Sequence, residues 1–238
     1  MGLTIHYTFQ TDRGAEEAKH LVSELRKRAL DLPFQEVGDL AELEGAECAP
    51  DYGAKDELHW LRIQATAMII QGRDYLEVPA SRLFAFTTSP GAGCEDANFG
   101  LCVYPKTHRI LVPRRRTIRT AKKGWSWQSF CKTQYASNPR YGGVANFLRC
   151  HLLVVKMLDA ANKLGILQEV NDEGSFWENR DALALAREVG DWNCMIGAFA
   201  GQLKDLQGEA LEAQIFSFPN FEQLEAKGRR NNRKEEDQ

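Results

Sequence analysis

Between Ala97 and Leu158 the sequence has no aspartate or glutamate, while Lys106, Arg109, Arg114, Arg115, Arg116, Arg119, Lys122, Lys123, Lys132, Arg140, Arg149 and Lys156 give it 12 positive charges. The rest of the chain holds all 33 acids against 18 bases, a net −15 behind an overall formal charge of only −3. Such segregation creates a local field that attracts anions whatever the total charge. Long apolar runs are also missing. None approaches the roughly 18 residues of a membrane span, and Met1 to Tyr7 lack the charged and apolar regions of a signal peptide, so no membrane partner and a cytoplasmic location are expected. The 6 cysteines are scattered without a C-x-x-C pair, which argues against a zinc ribbon or a disulfide framework and for reduced packing residues. The glycine-rich stretch Ser89 to Glu95 lacks the Gly-Lys-Ser/Thr ending of a P-loop and makes no Rossmann fingerprint.

What is present is an ordinary globular composition, 43% apolar over 238 residues, enough for a substantial core. Leu3, Ile5, Tyr7 and Phe9 alternate with polar residues, the period of a strand with one buried face. Ala18, Leu21, Val22, Leu25 and Ala29 then recur at helical spacing, giving a helix over Gly14–Asp31 that Pro33 ends. A long strand is expected from Leu61 to Ile69, with further strands over Arg82–Thr88 and Phe99–Tyr104. Val144, Leu148, His151, Val155 and Leu158 set a helix from Gly143 to Lys163 with Gly165 as its C-cap, and Leu185 to Leu206 set a second long one. The expectation is an α+β protein with a mixed or antiparallel N-terminal sheet, a covering helix and a largely helical C-terminal half packed on it. Its parts are a sheet-and-helix unit over 1–105, a basic hairpin arm or exposed connection over 106–124, the mainly helical 125–225 of the same body, and a disordered tail over 226–238.

Four short segments carry a resemblance: Ile5-His6-Tyr7, Gly93-Cys94-Glu95, Lys132-Thr133-Gln134-Tyr135-Ala136, and Asp172-Glu173-Gly174-Ser175-Phe176-Trp177-Glu178. In these the chain resembles an uncharacterised group of bacterial hypothetical proteins. The resemblance implies no reaction, substrate or cofactor, and the basic stretch from Lys106 to Lys123 lies outside its pattern.

Two constellations carry chemistry. Asp172, Glu173 and Glu178 beside a strand end are candidate ligands for Mg²⁺ or Mn²⁺. Lys132 would stabilise a phosphoryl group, Glu173 and His151 would assist proton movement, and Gln134 would lie nearby, the arrangement of a metal-assisted phosphoester hydrolase. The structural alternative uses the same residues differently. Asp-Glu-Gly is turn chemistry, Trp177 a packing anchor, Glu178 a helix-start residue, and His151 a buried imidazole bonded to Gln134, Tyr135 or Glu173.

The second constellation is the basic stretch. Arg114, Arg115, Arg116, Arg119, Lys122 and Lys123 would neutralise phosphates, with Trp125, Trp127, Tyr135 and Tyr141 stacking on unpaired bases of a nucleic acid. The alternative partner is an acidic protein face. Cys94, in its glycine-rich loop, would need a neighbouring histidine or a helix N-terminus to act as a nucleophile. His6 is expected to point away from the face of Leu3, Ile5 and Tyr7.

Overall fold

The computed structural model describes residues 3–53, 56–71, 74–110, 116–207 and 213–236. Its elements follow one another as β1 (Thr4–Thr11), α1 (Ala15–Leu30), β2 (Glu36–Val37), β3 (Ala41–Glu44), α2 (His59–Gln64), β4 (Thr66–Gln71), β5 (Asp74–Pro79), β6 (Arg82–Ser89), β7 (Ala97–Val103), β8 (Thr107–Ile110) and β9 (Arg116–Arg119). Then come β10 (Trp125–Lys132), α3 (Gly143–Lys163), β11 (Leu167–Asp172), α4 (Phe176–Asn179), α5 (Ala182–Gln207) and α6 (Phe221–Glu236). The main sheet has the order β11-β1-β10-β7-β6-β2, with β3 also on β6, and every pairing is antiparallel. The class is therefore α+β. Among the described residues no helix is long and apolar enough to cross a membrane.

The two-residue period of β1 decides the packing. Leu3, Ile5, Tyr7 and Phe9 are buried in a core that also takes Leu21, Val22 and Leu25 of α1 and Phe147, Val154 and Leu158 of α3. His6 lies on the other side, exposed, its ring 5.8 Å from that of Phe130. Because β1 sits between β10 and β11, Thr4 is opposite Lys132 on one side and Ile5 is opposite Asp172 on the other. Those pairings bring together segments about 130 and 170 residues apart in the chain.

β10 and β7 pack together in the middle of the sheet, but their ladder is short. β10 and β7 share only the register pair Ser126↔Cys102, and beyond it the Asn98 carbonyl receives side chains instead of ladder bonds. Tyr7 Oη donates to it at 2.8 Å and Trp127 Nε1 at 2.9 Å, so the gap closes without an orphaned backbone oxygen. Burial pushes the Tyr7 hydroxyl far above its ordinary range, which keeps it a donor.

Two expectations are corrected. The strand proposed from Leu61 to Ile69 is instead α2 followed by β4, and β4 pairs only with β5 in a separate hairpin. Along α2 and its C-terminal end Leu61 and Ala65, four residues apart, are buried while Ile63 is half-buried, and Ala67 is buried in β4. Over so short a span an apolar residue at every second position satisfies both periods. The tail expected to be disordered from Ala226 is helical through Glu236 as part of α6. Close backbone approach replaces the missing apolar side chains: a Cβ on Gly228 would collide with the Cys194 carbonyl of α5, and one on Gly197 would stand 3.1 Å from the Glu225 nitrogen. Arg229 adds ion pairs to Asp205 and Glu225.

Candidate functional site

The two segments singled out in the sequence do meet, but inside the protein. His151 falls on the buried stripe of α3, with Nδ1 3.0 Å from Thr133 Oγ1 and Nε2 3.1 Å from Asp172 Oδ2. Asp172 ends β11 and also accepts from two backbone amides, Gly174 N to Oδ1 and Trp177 N to Oδ2, both at 2.9 Å. The carboxylate thus ties α3 to the turn that starts α4. Burial opposes its charge, yet hydrogen bonding and charge from His151, with the Trp177 and Gly174 amides, hold the carboxyl below its ordinary range. An ionised Asp172 accepts from Nε2–H, and Nδ1 faces the Thr133 hydroxyl, which also reaches the Leu3 carbonyl at 3.4 Å.

Hydroxyl, imidazole and carboxylate in series is the order of a nucleophile, a base and an orienting group. Here no reacting atom can reach it: Thr133 and His151 are 0% exposed and Asp172 4%. The partners of His151 also differ from those expected, Thr133 and Asp172 replacing Gln134, Tyr135 and Glu173. Gln134 is buried and donates instead to Asn193 Oδ1 of α5 at 3.1 Å. Lys132 lays its ammonium 4.7 Å from the Tyr135 ring centroid.

The three carboxylates of the expected metal-ligand set are drawn apart. Asp172 turns inward, Glu173 Oε2 accepts from the Thr4 amide at 2.9 Å to secure the start of β1, and Glu178 is exposed on α4. Among the described residues no group of three or more His, Cys, Asp or Glu is placed to hold a metal ion. The two carboxylates part where β11 ends: Asp172 is its last residue and Glu173 begins the turn that follows.

The basic stretch forms the β8–β9 ribbon. Its base is held by the Thr120 hydroxyl donating to the Pro105 carbonyl at 2.6 Å, and Ile118 is buried beneath it. Lys106, Arg109, Arg119, Lys122 and Lys123 are exposed, and among the described residues none of them makes an ion pair. Lys122 lies 5.8 Å from the Tyr104 ring centroid. Arg114 and Arg115 lie outside the described residues, as does the side chain of Arg116. The two tryptophans expected to stack on bases are core residues: Trp125 stacks on Phe84 with ring centroids 5.1 Å apart, and Trp127 is buried. Tyr141 is exposed.

Cys94 is half-buried, 3.6 Å from the Cys131 sulfur. The hydrogen bond to Cys131, burial and the nearby Glu95 charge push its thiol well above its ordinary range, the reverse of what a nucleophile needs.

One concave surface had no signal in the sequence reading. A cleft of about 840 Å³ opens between α2, the β2–β3 connection and the ends of β6, β7 and β10, with Trp60, Asn98 and Phe130 in its wall. Five stretches of chain contribute to it, so nothing local marks it.

No family model matches the chain, no curated protein does at the level of significance applied, and no solved structure does either.

Proposed function

We propose that the protein binds nucleic acid through the β8–β9 ribbon. What supports the reading most is that the ribbon's exposed cations, Lys106, Arg109, Arg119, Lys122 and Lys123, have no anionic partner among the described residues. Surface cations left unpaired are the groups that exchange condensed counterions for phosphates, and a two-stranded ribbon has the width to enter a major groove. With Trp125 and Trp127 in the core, base stacking by them drops out of the proposal. The contact proposed is with the phosphate backbone, sequence-independent and dependent on salt. No catalytic step is attached to it, because the carboxylates that would have supplied one diverge.

The test is a salt titration of binding to duplex and single-stranded DNA and RNA, with Arg114, Arg115 and Arg116 replaced together by glutamine in a second protein. If three phosphate contacts are lost from a duplex complex, the slope of log K against log salt becomes shallower by about 2.7. An unchanged slope removes the ribbon from the binding surface. Absence of binding at low salt sinks the nucleic-acid reading and leaves an acidic protein face as the partner for these cations.

A further inference from the structure

The described lining residues of the cleft beside α2 carry charge of one sign. Glu36, Asp39, Asp56, Glu57, Glu95 and Asp96 supply carboxylates, and no Lys or Arg stands among the described lining residues. Two of the six are compensated from the flank, Asp39 by Arg26 at 2.8 Å and Asp56 by Arg62 at 2.7 Å. Glu95 accepts only a backbone hydrogen bond, from Lys132 N at 3.2 Å, which leaves its charge uncancelled. Glu36, Glu57 and Asp96 make no ion pair among the described residues. Like charges around a concavity focus the field and concentrate cations there.

A second observation is independent of that cluster. Asn98, opposite Thr87 in the sheet and with it part of the wall, is 3% exposed, yet its Oδ1 has no hydrogen-bond partner. A buried amide oxygen without a donor costs about 1–3 kcal/mol, and because this one has almost no accessible surface as it stands, the amide must turn before a ligand can donate to its oxygen. Rotating the amide by half a turn exchanges oxygen and nitrogen in nearly the same shape, so either end can be turned toward the ligand.

The remaining wall mixes a few polar side chains with aromatic and aliphatic ones. Trp60 and Phe130 line the cleft at 63% and 47% exposure, and Leu40, Leu58 and Leu61 line it too. Ring faces attract ammonium groups, and the aliphatic positions suit methylene chain. A bare divalent ion would need converging ligands, and no group of three is so placed among the described residues. The volume falls within the roughly 300–1,000 Å³ of small-molecule sites.

We propose that this cleft binds a linear aliphatic polyamine. Its ammonium groups lie against Glu36, Glu57 and Asp96 and over the Trp60 and Phe130 rings, one of them donates to the Asn98 amide oxygen, and its methylene segments run along Leu40 and Leu58. The site is separate from the ribbon and takes a ligand of opposite charge.

Titration calorimetry of the full chain with spermidine at fixed ionic strength tests the proposal, with Mg²⁺ and a short lysine-rich peptide as comparison ligands. The expected result is one saturable spermidine site, weakened at least about tenfold, or 1.4 kcal/mol, in an E36Q/D96N protein and again in N98L. N98L removes no side-chain hydrogen bond, so its Tm should not fall while its affinity does. If N98L does unfold, E36Q/D96N decides alone, since both of its positions are exposed. The proposal is overturned if spermidine gives no saturable heat, or if Mg²⁺ at equal ionic strength displaces it as well as a second polyamine does. It is equally overturned if E36Q/D96N binds spermidine unchanged, or if the lysine-rich peptide saturates the cleft while spermidine does not.

Discussion

Replacing Asp172 with alanine strands three groups at once: the His151 Nε2 and the backbone amides of Gly174 and Trp177. Each buried donor left without an acceptor costs about 1–3 kcal/mol. These overlap, so about 4 kcal/mol is expected for the whole change, against a total stability of about 5–15 kcal/mol for a typical domain. Urea unfolding followed by tryptophan fluorescence measures it, as a lower midpoint with the slope unchanged. The pH dependence adds a separate signature. The folded carboxyl titrates below its ordinary range and the unfolded one at about 3.9, so between those values the unfolded state binds more protons. Stability from this group is fully present above the unfolded value and is lost as pH falls through the folded one. Asp172→Asn should therefore flatten the acid limb of the stability curve relative to the parent. A loss under 1 kcal/mol in Asp172→Ala, or an acid limb identical in Asp172→Asn, would refute the structural assignment of the Thr133–His151–Asp172 network.

Two further outcomes follow from single contacts. Gly228→Ala should free α6 from α5, because a Cβ there meets the Cys194 backbone oxygen, which cannot swing away as a side-chain tip could; limited proteolysis within α6 should speed up several-fold while β1 amides keep their hydrogen-exchange protection. Cys94 should react with iodoacetamide at neutral pH at least about tenfold more slowly in the folded chain than in urea, since the thiolate is the reactive form and the fold disfavours it; equal rates would mean that the thiol does not sit against Cys131.

Local patterning was legible where one period ran long enough to exclude the other. Leu3 to Phe9 marked β1, Ala18 to Ala29 marked α1, and the stripe from Val144 to Leu158 gave the bounds of α3 as they stand, Gly143–Lys163. Leu61 to Ile69 failed because helix and strand share their apolar positions over one turn, and α6 failed because its docking uses glycine contacts that hydropathy does not register.

Side-chain direction at the end of β11 was a matter for the tertiary structure alone. Read along the chain, Lys132–Ala136 and Asp172–Glu178 already stand out for their polar groups, and the middle of the chain for having no acid. Which of two adjacent carboxylates faces His151 depends on the register of β1 against β11, and whether Trp127 meets solvent or Asn98 depends on where β10 parts from β7. The acidic cleft is the extreme case. Its carboxylates stand at positions 36, 39, 56, 57, 95 and 96, and only the antiparallel order of β2, β6, β7 and β10 with α2 brings them to one wall. Periodicity is a property of neighbours along the chain, whereas a site is a property of neighbours in space, and the pairing of distant strands connects the two.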